Sequence, residues 1–146
     1  MKRLLSKKEK ILVGLVFGSN KQYLNNLYIN INAEWIKYFF CKKCIKCKMD
    51  ESKYGMVINK NIYFSFDPNY SDNLDMHMLI HEITHYEQCL YEGYCCLIPK
   101  YLYDCICFGP SGMYYNDGTL EYEAEQKAEL GLRLKKVIDE NRLYEE

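Results

Sequence analysis

Several features that would assign this chain to a particular class of protein are scarce in the sequence. The net charge is only −1, from 19 basic and 20 acidic side chains, so nothing favours a nucleic-acid partner. No apolar run approaches the roughly 18 to 20 residues that a membrane-spanning helix needs, so we expect no transmembrane segment. There is no internal repeat, low-complexity tract or linker. The 146 residues therefore suit a single domain, residues 1–146, with its core at about 25–140.

A secretory leader is also poorly supported, although eight cysteines in a short chain would fit a disulfide framework. The basic lead of residues 1–10 is followed by only a short apolar run, which Gly14 interrupts and no small-residue cleavage site follows. We therefore expect a soluble, cytoplasmic protein whose cysteines are mostly reduced and buried. Secretion is the alternative that the basic lead leaves open.

Three of the cysteines, Cys41, Cys44 and Cys47, have CxxCxxC spacing. A zinc knuckle would need a fourth ligand, and no matching second pair stands nearby. Thiols at a helix end are the favoured interpretation, with a second metal site or a redox role as alternatives.

The hydrophobic pattern predicts an α+β fold. Alternating and hairpin-like segments predict a small antiparallel sheet, and three longer periodic segments predict helices. The segment 3–17 is compatible with either a helix or a strand. The predicted strands are 28–32 and 56–66, and the predicted helices are about 74–91, 94–109 and 119–142. The inward face of the last helix is predicted to contain Tyr122, Ala124 or Ala128, Leu130, Leu134, Val137 and Ile138.

A second candidate metal-binding motif is the sequence His81-Glu82-Ile83-Thr84-His85. Residues four apart lie on one face of a helix, so His81 and His85 can present two imidazoles to one metal ion. Glu82 can then accept a proton from a metal-bound water whose pKa zinc has lowered. The chain has only three histidines, which makes this spacing uncommon by chance. The competing interpretation is a histidine pair on a solvated helix face.

A catalytic zinc ion needs a third protein ligand. Glu121, Glu123 and Glu125 lie on the last predicted helix and all three are candidates. Glu121 and Glu125 share one face, so one of them can bind the metal while the other accepts a hydrogen bond from a ligand histidine. Spacing alone leaves the choice open.

Other side chains could contribute to a cleft. His77 lies four residues before His81 and could approach a substrate, whereas Cys89 is a poor candidate ligand because the helix face drifts. Tyr114, Tyr115 or Tyr122 could donate a hydrogen bond to an oxyanion, or could simply pack in the cleft wall.

About half of the chain, from Gly55 to Lys127, resembles the gluzincin zinc metallopeptidases. The similarity is to the soluble minigluzincins and to a peptidase domain found beside extracellular contractile injection systems. The residues that carry it are Ile62-Tyr63-Phe64, the helix segment 79–88 and Glu121-Tyr122-Glu123-Ala124-Glu125. The resemblance implies a zincin-like core on which the small sheet packs. It also implies one zinc ion held by His81, His85 and Glu121, with Glu82 as general base and Glu125 as partner of a ligand.

We therefore expect a zinc-dependent metallopeptidase that acts on a peptide or protein substrate. One alternative is a catalytically silent or latent zinc-binding protein, with residues 1–24 or 139–146 lying in the cleft. Another is a regulatory peptidase that cleaves a repressor. The sequence makes no prediction of substrate or oligomeric state.

Overall fold

The structure is a computed structural model that describes residues 1–19, 21–39, 53–141 and 143. The predicted CxxCxxC segment lies outside the described residues. The α+β prediction is confirmed, because a small sheet is combined with several helices that include a long C-terminal one. In the described part of the chain, no helix combines the length and the apolar character needed to span a bilayer.

The sheet has four short strands in the order β1-β2-β4-β3. β3 and β4 form the predicted hairpin, whose turn residues Asn59 and Lys60 both have positive φ angles of 44° and 61°, as a two-residue hairpin turn requires. The sheet is mixed rather than wholly antiparallel, since β2 pairs in parallel with β4. A parallel pair needs a long crossover, here residues 31–60. The strands are β1 (Lys2–Leu4), β2 (Tyr28–Asn30), β3 (Gly55–Ile58) and β4 (Asn61–Phe64).

The three longer predicted helices are all present, with ends that differ by at most three residues from the prediction. The ambiguous segment 3–17 contains both β1 and a helix, α1, which begins with a capping box formed by Ser6 and Glu9. A six-residue 3₁₀ helix occupies Glu34–Phe39. The α-helices are α1 (Lys7–Phe17), α2 (Gln22–Asn25), α3 (Asn73–Glu92), α4 (Tyr94–Gly112) and α5 (Leu120–Asn141).

The core lies around α3, between the sheet and the two helices α1 and α5. It begins before residue 25, because Leu12, Val13 and Phe17 of α1 are buried in it. Residues 1–17 are therefore part of the folded core rather than a terminal segment lying in a cleft.

The inward face of α5 differs from the prediction. Ala124, Ala128 and Ile138 are buried as expected, but Leu130 and Val137 are 45% and 49% exposed. The prediction was wrong for these two residues because small residues of α5, not large ones, pack against α3. A Cβ atom at Gly131 would lie only 2.0 Å from Ile80 Cδ1 of α3.

Candidate metal centre

The HExxH sequence lies in the middle of α3, as predicted. The helix begins at Asp72, whose carboxylate accepts hydrogen bonds from the backbone N–H groups of Leu74 (2.8 Å) and Asp75 (3.4 Å), a strong N-cap. His81 and Glu82 are buried, and His85 is partly buried. The solvated-face alternative is therefore wrong for these side chains.

The nitrogen atoms of the two histidines converge with one carboxylate from α5. His81 Nε2 lies 3.1 Å from His85 Nε2 and 3.1 Å from Glu121 Oε2, and His85 Nε2 lies 3.4 Å from Glu121 Oε1. Ligands about 2.0–2.1 Å from a tetrahedral zinc ion stand roughly 3.3 Å apart. The three side chains thus form a group that could hold a metal ion.

Among the three carboxylates that spacing left open, Glu121 is the one whose oxygens lie beside both His81 and His85. Glu121 lies in the first turn of α5 and is buried. The start of α5 is fixed by Asp104 Oδ2, which accepts from Leu120 N at 3.3 Å, and by Thr119 Oγ1, which accepts from Tyr122 N at 3.2 Å. This capping orients the first turn so that Glu121 faces α3.

The other two carboxylates have separate partners. Glu123 accepts a hydrogen bond from Gln88 Nε2 at 2.9 Å and is not part of the candidate ligand group. Glu125 accepts from His77 Nε2 at 3.0 Å, and its second oxygen lies 3.5 Å from His81 Nδ1. Glu125 is therefore beside a candidate ligand, as the resemblance implies, and His77 contacts Glu125.

Gln88 fixes the orientation of His85, a role that the sequence analysis did not assign. Its Oε1 accepts a hydrogen bond from His85 Nδ1 at 2.8 Å. In the tautomer that carries its proton on Nδ1, His85 has a lone pair on Nε2 that is available to a metal ion. A hydrogen bond of this kind commonly orients a metal-binding histidine. The signal was present in the sequence, because Gln88 is three residues after His85 on the same helix.

The electrostatics of the three side chains favour a cation. Burial opposes a charged imidazole, but Glu121 and Glu125 outweigh it and raise the pKa of His81 to about 10. Burial also opposes charge on His85, yet Glu121 raises its pKa above the ordinary value. Burial would raise the pKa of Glu121, but His85 and His81 lower it strongly. The neighbouring carboxylates therefore favour positive charge at the histidines, and a divalent cation could supply that charge.

Glu82 lies against the first residue of β3. A Cβ atom at Gly55 would be 2.7 Å from Glu82 Cγ and 3.0 Å from Glu82 Oε1. Burial raises the pKa of the Glu82 carboxyl, while His85 and His81 act in the opposite direction. Gly55 is a site residue that the sequence analysis treated only as a turn, because its role depends on how β3 meets α3.

The tyrosines divide into those near the site and those away from it. Tyr115 is 83% exposed, so the structure does not bring this candidate to the histidines. The ring of Tyr114 stacks near that of His81, with centroids 6.3 Å apart. Tyr101 of α4 was not anticipated, although burial and then Glu121 raise the pKa of its hydroxyl. Tyr114 and Tyr101 are the better candidates for a cleft wall.

Cys89 is buried one turn beyond His85, and in the described residues it does not join the candidate ligand group. The geometry therefore establishes a largely buried group of two imidazoles and one carboxylate, with the carboxyl group of Glu82 nearby. Comparison of the chain with protein-family models, with curated proteins and with solved structures finds no match of any kind.

Proposed function

We propose that the protein is a zinc-dependent metallopeptidase of the gluzincin type, with His81, His85 and Glu121 as ligands of one zinc ion. The observation that carries the proposal is the convergence of these three side chains, whose donor atoms lie 3.1–3.4 Å apart. Two imidazoles and a carboxylate form a ligand set that suits zinc and leaves a position for water. When bound there, zinc would polarise a substrate carbonyl and lower the pKa of a water molecule.

Glu82 is the proposed general base. It directly follows a ligand on α3, and burial raises the pKa of its carboxyl, which makes the carboxylate a better proton acceptor near neutral pH. Its position against Gly55 holds the side chain beside the histidines rather than in solvent. Glu82 would take the proton from the attacking water and deliver it to the leaving amine of a peptide bond.

The burial of the site favours a second candidate, a latent or catalytically silent zinc-binding protein. Structural zinc sites are closed, whereas catalytic ones keep an open position. His81, Glu82 and Glu121 are only 6%, 8% and 5% exposed. This closed arrangement restricts the access of a substrate to the three ligands and Glu82. Zinc binding and peptide hydrolysis therefore require separate tests.

The first test is metal analysis of the purified chain and of four single variants. We expect one zinc ion per chain in the wild type and in Glu82→Gln, and at least a tenfold loss of zinc affinity in His85→Ala, because a ligand is lost. Glu129→Gln is the matched control, since Glu129 is an exposed acid of α5 that lies outside the ligand group. Zinc binding that survives His85→Ala and Glu121→Gln unchanged would contradict the proposed site.

The second test separates the peptidase from the silent protein. Wild type and Glu82→Gln are incubated with native and denatured peptide libraries, and new amino termini are identified. The peptidase proposal expects cleavage by the wild type, at least a hundredfold slower cleavage by Glu82→Gln, and none after chelation. Stoichiometric zinc without any cleavage by the wild type would favour the silent or latent protein.

A further inference from the structure

The polarity of α4 is the reverse of that expected for a surface helix. Between residues 95 and 108 its only charged side chains are Lys100 and Asp104. Asp104 is buried against the protein, where it accepts the hydrogen bond from Leu120 N that caps α5. A surface helix normally turns its apolar stripe inward and its charges outward. Here the acidic residue is inside and the apolar residues are outside.

The exposed part of α4 is large and apolar. In the part of the chain that the structure describes, Ile106 is 84% exposed, Tyr103 64% and Leu102 55%. At about 100° per residue, the exposed side chains cover roughly 250° of the helix circumference. We define the α4 face by its exposed apolar side chains, which are Cys95, Cys96, Ile98, Tyr101, Leu102, Tyr103, Ile106, Cys107 and Phe108.

We propose that the α4 face docks on the surface of a lipid bilayer. The width of the face argues for lipid over a second copy of the chain. Packing against one partner helix covers only the side of α4 that faces this helix, which would leave much of the α4 face in water. The interfacial region of a bilayer can surround a protruding helix on every side except the one attached to the protein.

The length and composition of α4 fit a peripheral position. Gly109 interrupts the helix with a φ of 72°, so the regular part ends at Phe108. Fifteen residues rise about 22 Å, which is short of the roughly 30 Å hydrocarbon core. Tyrosine is favoured at the water–lipid boundary because it combines apolar area with a polar tip, and the face contains the largely exposed Tyr103.

The charges on and near the α4 face determine which lipid composition should be enough for binding. The α4 face contains no exposed charged side chain, and Lys100 at its margin lies 3.5 Å from Glu92. Attraction to anionic headgroups therefore contributes little. Apolar burial should drive docking, so neutral phosphatidylcholine vesicles should bind the protein and 0.5 M salt should not release it.

The test is vesicle flotation of the full-length chain in reducing buffer, with zinc or with a chelator. We expect the wild type to float with neutral phosphatidylcholine vesicles and Leu102→Glu/Ile106→Glu to bind at least tenfold more weakly. The matched control is Leu130→Glu/Val137→Glu, which places the same charges at exposed apolar positions of α5 and should float like the wild type. Circular dichroism and size-exclusion light scattering verify that each variant is folded and report its oligomeric state.

Several results would overturn the proposal. These are failure of the wild type to float, equal flotation of both double variants, or binding that requires anionic lipid and disappears in salt. A wild-type dimer that Leu102→Glu/Ile106→Glu dissociates, without any flotation, would assign the face to a second copy. Flotation does not depend on zinc or on Glu82, so its failure is distinct from failure of the proposed peptidase.

Discussion

At the scale of single residues, the position of Glu82 depends on the absence of a side chain at Gly55. Because a Cβ atom there would be 2.7 Å from Glu82 Cγ, Gly55→Ala should displace the carboxyl while leaving the three ligands untouched. We expect unchanged zinc stoichiometry and at least a tenfold loss of peptide cleavage, since a displaced base loses its alignment with the water. Paired metal analysis and cleavage assays measure both quantities.

The control for this variant is Gly14→Ala, because a Cβ atom at Gly14 has no neighbour closer than 3.8 Å. It should retain both zinc and cleavage. Full cleavage by Gly55→Ala would show that Glu82 does not need its position against β3. Joint loss of zinc and cleavage would show instead that the change disturbs the ligands themselves.

At the scale of secondary-structure elements, the contact between α3 and α5 determines which carboxylate faces the histidines. Glu121 of α5 approaches His81 because the two helices are close, and Gly131 lies directly against Ile80. Gly131→Ala places a methyl group 2.0 Å from Ile80 Cδ1, which is fully buried. Overpacking should exceed the gain in helix propensity, with a net loss of about 1–2 kcal/mol in the free energy of unfolding.

Denaturant unfolding of the metal-free chain measures this loss without interference from zinc. Gly14→Ala again provides the comparison, since it adds the same methyl group to a helix where there is room, and it should stabilise the protein slightly. A Gly131→Ala protein as stable as the wild type would mean that Ile80 can rotate away. The helices would then be less tightly packed than the close contact indicates.

The same contact explains what the sequence could and could not predict. The helices α3 and α5 were recognisable because their patterns are long and periodic, and His81 and His85 share one helix face at fixed spacing. The choice of Glu121 required the rotation of α5 about its axis, which its small residues set through a tertiary contact. The parallel pairing of β2 with β4 was equally inaccessible, because it joins segments far apart in the chain.

At the scale of the whole molecule, one buried carboxylate links three helices. Glu87 of α3 is 4% exposed and accepts hydrogen bonds from Lys127 of α5 at 2.7 Å and Tyr23 of α2 at 3.0 Å. Lys21, just before α2, forms an ion pair with the same carboxylate. Although burial opposes the charge, the lysines lower the pKa of Glu87. These contacts connect α2 to α3 and α5, the two helices that contain the candidate metal centre.

This lowered pKa predicts a pH-dependent contribution to stability. A carboxyl whose pKa is lower in the folded protein stabilises it fully above the unfolded value of about 4.5. The contribution disappears as the pH falls through the lower folded pKa, because protonation then ends the ion pairs. Glu87→Gln should cost about 1–3 kcal/mol at pH 7, and its difference from the wild type should shrink as the pH falls below the unfolded pKa. Urea unfolding of the metal-free proteins across this range measures the difference, with Glu129→Gln, an exposed acid near Arg133, as the control. A cost that stays constant down to pH 2 would show that the stabilisation comes from the shape of the side chain and not from its charge.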